Sequence, residues 1–182
     1  CLRRINDRDL AALDLSCWRV AGIGAEPIPG QQITEFGERF RQAQFDSSAF
    51  MPCYGLAENA LAVSFSAEAA GLQVNEIDRD ILERQGKAVA PTAQTRAIST
   101  FANCGKALPG HAIEIRNELG MPLAEREIGH ICISGPSLMS GYFQDMASQQ
   151  EIQSTGWLDT GDLGYLLDGD LYVTGRIKDL II

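Results

Sequence analysis

Five stretches of the chain pair glycine with residues able to do chemistry. They are Gly24-Ala25-Glu26-Pro27, Tyr54-Gly55-Leu56-Ala57-Glu58, Gly135 to Gly141-Tyr142, Trp157-Leu158-Asp159-Thr160-Gly161-Asp162-Leu163 and Gly175-Arg176-Ile177-Lys178-Asp179. A carboxylate offers acceptor oxygens only, and an arginine offers a fixed fork of donors to oxygen ligands. Singly each stretch is weak, because Thr-Gly-Asp or Asp-Gly most often makes a turn and nothing more. Their order and spacing along one chain carry the information. Cysteine and histidine chemistry has less support. Cys53 lies beside Tyr54, but no base is paired with it in the sequence, so a small buried residue is expected there. The 5 cysteines, Cys1, Cys17, Cys53, Cys104 and Cys132, contain no Cys-x-x-Cys pair, and His111 and His130 are the only 2 histidines. That excludes the usual structural zinc patterns and points to a reducing cytoplasm.

The elements that must position these residues follow from apolar spacing. Positions 19–24, Arg19-Val20-Ala21-Gly22-Ile23-Gly24, read as a short buried strand ending in glycines, and Pro27 and Pro29 then mark a loop. Ile33, Phe36, Gly37 and Phe40 recur at helical spacing, which predicts a helix over 31–43 with Glu35, Glu38, Arg39 and Arg41 on its other face. Strand, loop and helix in that order predict the edge of an α/β layer. The small apolar stretch 56–65 is expected as a short helix or buried turn. Segment 66–100 is polar and alanine-rich, with one short helix predicted near 78–84, and is expected as a surface insertion used for docking, outside any core. Beyond it the period becomes two: Ile113 and Ile115 alternate with Glu114 and Arg116, and Ile131 and Ile133 with Cys132 and Ser134. Tyr165-Leu166-Leu167 and Leu171-Tyr172-Val173 flank Asp168-Gly169, the signature of a two-residue hairpin turn. The fold class expected is α/β plus β: the edge of an α/β layered subdomain followed by a small antiparallel, β-rich, barrel-like subdomain. The boundaries expected are 1–65 for the α/β part, 66–100 for the insertion, 101–175 for the β-rich part and 176–182 for a hinge.

Composition narrows the function classes. With 182 residues and 45% apolar content, the chain can bury a core without disulfide or metal staples. A net charge of −9, from 24 Asp+Glu against 15 Lys+Arg, argues against a general nucleic-acid binder, whose affinity rests on cations. No apolar run reaches membrane-span length, and no signal region follows the N-terminus. The chain starts at Cys1 and stops within Leu180-Ile181-Ile182, which leads to the expectation of a piece of a longer protein.

Taken together, the quoted stretches, with Cys104-Gly105-Lys106-Ala107-Leu108-Pro109-Gly110 and the run from Gly175 to Ile182, resemble the motifs of the adenylate-forming superfamily. Within it they look most like fatty acyl-AMP ligases. The resemblance implies activation of a fatty acid by ATP with Mg²⁺, giving acyl-AMP and pyrophosphate, and transfer of the acyl group to the pantetheine thiol of an acyl carrier protein. It implies a loop against adenine at Gly24, Ala25, Glu26 and Pro27, with Tyr54 and Gly55 closing the same pocket. Asp162 matches the ribose-binding aspartate, Arg176 the arginine on ribose and phosphate, Glu58 the metal-associated glutamate, and Lys178 the hinge between large and small domains. In such ligases the insertion 66–100 would restrain the small domain and disfavour transfer to CoA. The Gly135 to Tyr142 stretch receives a structural role only. Two departures bear on activity. Ala57 stands where most of the superfamily has threonine, and no Gly/Ser/Thr-rich phosphate loop or downstream small domain with its lysine occurs in these residues, so the piece by itself is expected to be inactive. The alternatives are an acyl-CoA synthetase, an amino-acid adenylation domain, or a noncatalytic scaffold that only packs or docks.

Overall fold

A computed structural model describes residues 1–179; Leu180, Ile181 and Ile182 lie outside the described residues, and with them the end of the predicted hinge segment. The chain opens with a short helix, α1 (Asp7–Ala11), whose first turn is capped by the Asn6 side chain accepting from the Asp9 amide. Strand β1 (Ala21–Ile23) leads into helix α2 (Gly30–Phe40), and the chain returns as β2 (Phe50–Leu56), parallel to β1 with Ala21 opposite Phe50. The helix expected over 31–43 is therefore α2 continued by a single 3₁₀ turn, Arg41–Ala43. The apolar stripe of α2 lies over this pair. Phe36 stacks on Phe40 at 4.1 Å and meets Phe45 edge-on at 5.4 Å, with Phe50 beside Phe45 at 5.0 Å. Buried Leu10, Ala21, Ala43 and Ala49 complete this first core.

Of the stretch 56–65, expected as a short helix or buried turn, only 57–59 is a turn, and most of the rest is a strand. β2 runs to Leu56, a 3₁₀ turn occupies Ala57–Asn59, and β3 (Leu61–Phe65) comes back antiparallel. Two features favour the hairpin over a helix. Buried Asn59 donates through Nδ2 to the Ala62 carbonyl, and Ala60 and Leu61 take positive φ of 50° and 87°. At Gly55 the strands close so tightly that a Cβ would lie 1.8 Å from the Leu61 carbonyl oxygen, so only glycine fits. β6 (Lys106–Ala107) joins β3, and the first sheet has the order β1-β2-β3-β6.

Segment 66–100 folds as β4 (Val74–Asp78), α3 (Arg79–Gln85) and the first residues of β5 (Ile98–Ala102), with β4 and β5 paired antiparallel. Asp78 caps α3 by accepting from the Ile81 amide, and Gly86 closes its C-terminus at a positive φ. The segment is not confined to the surface as expected. Ile77 and Ala88, both fully buried, pack with Tyr165 and Tyr172, whose rings stack at 4.9 Å. The apolar residues that do this are few and widely spaced, so the polar average of the segment hides them.

The second sheet has the order β10-β9-β8-β7, all antiparallel, from β7 (Ala112–Arg116), β8 (Gly129–Ser134), β9 (Leu158–Leu167) and β10 (Asp170–Arg176). Ile113 faces Ile133 and Ile115 faces Ile131, the register the period-two pattern predicts. Asp168 and Gly169 turn the β9–β10 hairpin with φ of 54° and 77°, the left-handed pair that a two-residue hairpin turn requires. The sheet is open, not barrel-like. β10 does not reach β7, because its outer edge pairs with 103–105: Cys104 N–H donates to the Leu171 carbonyl and Leu171 N–H to Gly105. Between the two sheets lies the largest core, with Tyr54 and Val63 from the first packed on Ile115, Ile131, Leu158 and Leu171 of the second. Helix α4 (Met146–Thr155) adds Ile152 to it.

Candidate functional site

The junction of the two sheets opens into a cleft of about 380 Å³. Its walls are the loop Ala25 to Ile28, the end of β2 at Cys53 to Gly55, Asp162 of β9 and the end of β10 at Val173 to Arg176. Segments about 150 residues apart in sequence, 25–28 and 173–176, meet here because the end of β2, the middle of β9 and the end of β10 converge at this junction. The loop approaches β2 closely: a Cβ on Gly24 would stand 2.8 Å from the Cys53 carbonyl oxygen. Ala25 holds a φ of 68°, a conformation costing an L-residue about 1–2 kcal/mol. Such strain persists where the surroundings impose it, and loops that shape ligand clefts are a common place for it.

Asp162 is aimed inward by a bulge. In the β8–β9 pair, His130 faces Leu163 and Cys132 faces Asp159, so residues 160–162 all stand against Ile131. Extra residues in one strand bend it and redirect a side chain. Side chains hold the bulge in place. Thr160 Oγ1 donates to the Ile131 carbonyl at 2.9 Å and accepts from the Asp162 amide at 3.1 Å, and Asp159 Oδ1 accepts from Gly161 N–H at 2.9 Å. His130 Nδ1 lies 2.7 Å from the other Asp159 oxygen, which gives this histidine a bracing place at the base of the bulge.

The carboxylate of Asp162 is 6% exposed and is clasped at both oxygens. Tyr54 Oη donates to Oδ2 at 2.7 Å, and Arg176 Nε donates to Oδ1 at 2.8 Å from directly across the β9–β10 ladder. A buried carboxylate needs such partners, since leaving it without them would cost several kcal/mol. Burial pushes the Tyr54 phenol well above the ordinary tyrosine range, with neighbouring Asp162 acting in the same direction, so it stays a donor throughout the working pH range. Arg176 has a side chain 68% exposed, leaving most of its guanidinium at the mouth of the cleft. Each carboxylate oxygen carries two acceptor sites, so Asp162 can accept further hydrogen bonds from a pair of hydroxyls.

Seven of the residues marked out by sequence therefore line one cleft: Ala25, Glu26, Pro27, Tyr54, Gly55, Asp162 and Arg176. Gly24 adjoins it through Cys53. Glu58 lies beyond this lining, in the turn after β2, where its Oε1 accepts from Tyr142 Oη at 2.9 Å. Lys178 is exposed in the 3₁₀ turn Ile177–Asp179 that follows β10. Sequence reasoning missed the wall supplied by Thr100, Phe101 and Ala102 of β5 and by buried Cys104. The alternation of Ile98, Thr100 and Ala102 with Ser99 and Phe101 was the available signal. Cys53 is half-buried, its thiol donating to the Ile23 carbonyl at 3.4 Å, and burial raises its pKa, as expected of an unreactive thiol. A more open depression of about 420 Å³ lies between α2 and 70–72 and contains none of the motif residues.

The cleft thus sets a buried, clasped acid beside a strained small-residue loop, and the chain that carries it has recognisable relatives. The AMP-binding enzyme family matches residues 2–143, and the chain belongs to that family. A Caulobacter vibrioides relative provisionally named an acyl-CoA synthetase is 43% identical over 100% of this chain and 32% of its own length. A medium-chain-fatty-acid–[acyl-carrier-protein] ligase of Moorena producens is 34% identical over 100% of this chain and 32% of that protein. A solved chain described under fatty acyl-adenylate ligases from E. coli and L. pneumophila superposes with a TM-score of 0.98 at 77% identity, covering 100% of this chain and 33% of that one. The chain thus spans about a third of the length of these relatives.

Mg²⁺, which the family resemblance implies, takes one or two protein carboxylates and otherwise phosphate oxygens and water. Among the described residues no group of three or more His, Cys, Asp or Glu comes together to hold a metal ion. The single carboxylate of Glu58 fits the mode in which phosphate supplies most of the ligands. No helix among the described residues is long and apolar enough to cross a membrane.

Proposed function

We propose that this chain is part of a fatty acyl-AMP ligase, and that its cleft holds the adenosine of ATP and of the acyl adenylate. The observation that carries this is the clasp: a buried carboxylate fixed by Tyr54 and Arg176 at the edge of a cleft walled by the loop Ala25 to Ile28. The ribose hydroxyls donate to the remaining acceptor sites of Asp162, which is already oriented and loses no further rotamer freedom on binding. The backbone of Gly24 to Pro27 lies against adenine, with Tyr54 and Gly55 closing the pocket. The exposed guanidinium of Arg176 reaches ribose and phosphate oxygens, where its fork serves better than an ammonium.

In the reaction a fatty carboxylate oxygen attacks the α-phosphorus of ATP and the bond to pyrophosphate breaks, giving acyl-AMP. A pantetheine thiol of an acyl carrier protein then attacks the acyl carbonyl, and AMP leaves. Bringing two anions together needs compensating positive charge, which Mg²⁺ supplies when bound, with Glu58 as its protein ligand. Lys178 takes the hinge position, and segment 66–100 restrains transfer to CoA. Catalysis belongs to the whole protein, and the 182 residues alone are expected to form no acyl-AMP.

The 43% identical relative favours a second reading, acyl-CoA synthetase, and one experiment separates the two. The full-length protein is given ATP, Mg²⁺, a fatty acid mixture and CoA, and products are followed by mass spectrometry. Acyl-AMP accumulating without acyl-CoA supports the ligase. Abundant acyl-CoA moves the protein to the synthetase class.

A further inference from the structure

The stretch from Gly135 to Tyr142 has only a structural role in the sequence reading, yet it is pinned at both ends, and its far end holds Glu58. At its start Gly135 lies under the His111 ring, so closely that a Cβ would stand 2.2 Å from His111 Cδ2, and His111 Nε2 lies 2.7 Å from Ser137 Oγ. At its end it grips the Glu58 turn twice. Met139 N–H donates to the Glu58 carbonyl at 2.7 Å, and Tyr142 Oη donates to Glu58 Oε1 at 2.9 Å. The Tyr142 backbone is held in turn, its carbonyl accepting from the Asp145 amide at 3.2 Å and from Gln149 Nε2 at 3.1 Å.

We propose that Tyr142 is a positioning residue for Glu58: its phenol fixes one carboxylate oxygen and so presents the other to a divalent cation. This rests on the reading of Glu58 as the protein ligand of that cation. A glutamate in a half-exposed turn otherwise samples many rotamers, and fixing it at the moment of binding costs side-chain entropy. The phenol removes much of that cost beforehand. The backbone bond from Met139 fixes the turn itself, and the carboxylate bond fixes the side chain within it. Hydrogen-bond partners behind a metal ligand commonly act in this way.

The test uses the full-length protein with a non-hydrolysable ATP analogue, titrated with Mn²⁺ and followed by electron paramagnetic resonance, for wild type, Glu58→Gln, Tyr142→Phe and the double variant. Tyr142→Phe keeps the ring and removes only the hydroxyl. The expected result is Mn²⁺ affinity weakened about tenfold by Tyr142→Phe with an unchanged melting temperature. The double variant then binds no more weakly than Glu58→Gln alone, because the phenol acts through the carboxylate. Wild-type affinity in Tyr142→Phe, while Glu58→Gln is weakened, overturns this inference and leaves the Glu58 reading standing. Equal weakening by Tyr142→Phe with and without Glu58 also overturns it. Unchanged affinity in Glu58→Gln overturns the Glu58 reading and this inference with it.

Discussion

Asp162 and Glu58 are both acids beside a glycine turn, but the fold treats them differently. Asp162 is 6% exposed and bonded at both oxygens from two different sheets, whereas Glu58 is half-exposed and bonded at one oxygen from a loop. The first acid is part of the core as well as of the site, so its loss should damage binding and stability together. The second is a side chain on a turn, and its loss should affect ligand and leave the fold alone. Burial separates the two, and sequence spacing by itself does not.

The largest effect is expected from Asp162→Ala in the full-length protein. Losing hydrogen bonds to a charged acceptor should weaken AMP binding by about 3 kcal/mol, roughly 100-fold, by calorimetry. The same change leaves the buried Tyr54 phenol without its acceptor, and denaturant unfolding should show a loss of about 2 kcal/mol. An Asp162→Ala protein of wild-type stability would break the contrast with Glu58.

Alkaline stability comes next, because the core of the molecule buries protonated groups. Burial raises the Cys104 thiol from 9.0 to about 12, and burial also raises the phenols of Tyr54 and Tyr165. The folded chain keeps these protons after the unfolded chain has lost them. Their stabilisation is therefore fully present below the ordinary thiol value of 9.0 and is lost as pH rises toward about 12. Denaturant midpoints measured from pH 8 upward should fall, and Cys104→Ala should flatten the fall. Arg176→Lys should do less: its 68% exposed side chain keeps its charge but loses the fork. AMP affinity should fall by roughly 1 kcal/mol, with stability changed by less than about 0.5 kcal/mol. The smallest change in stability is expected for Glu58→Gln, whose melting temperature should match wild type.

How much was legible in sequence depends on whether the deciding interaction is local. The strand pair holding Ile113, Ile115, Ile131 and Ile133 and the Asp168-Gly169 turn follow from period and turn chemistry, and α2 follows from its apolar stripe. The β2–β3 hairpin does not, because its turn relies on Ala60 and Leu61 at positive φ, residues that ordinarily avoid that region. Ile77 and Ala88 were hidden in a polar average, and only contact with Tyr165 and Tyr172 makes them core. For the candidate site, the motifs named the acids and the loop but not the wall from β5, which reaches the cleft through sheet pairing. Tyr142 lies 84 residues from Glu58, so their bond has no sequence signature.

The central claim is that Asp162, set by Tyr54 and Arg176, holds the ribose of an adenine nucleotide. The most direct measurement compares AMP with 2′,3′-dideoxy-AMP binding to full-length wild type and Asp162→Ala by calorimetry. The account predicts that wild type binds AMP at least about tenfold more tightly than the dideoxy analogue, and that this preference disappears in Asp162→Ala. Equal affinity of wild type for the two nucleotides, or a preference that survives in Asp162→Ala, would contradict it.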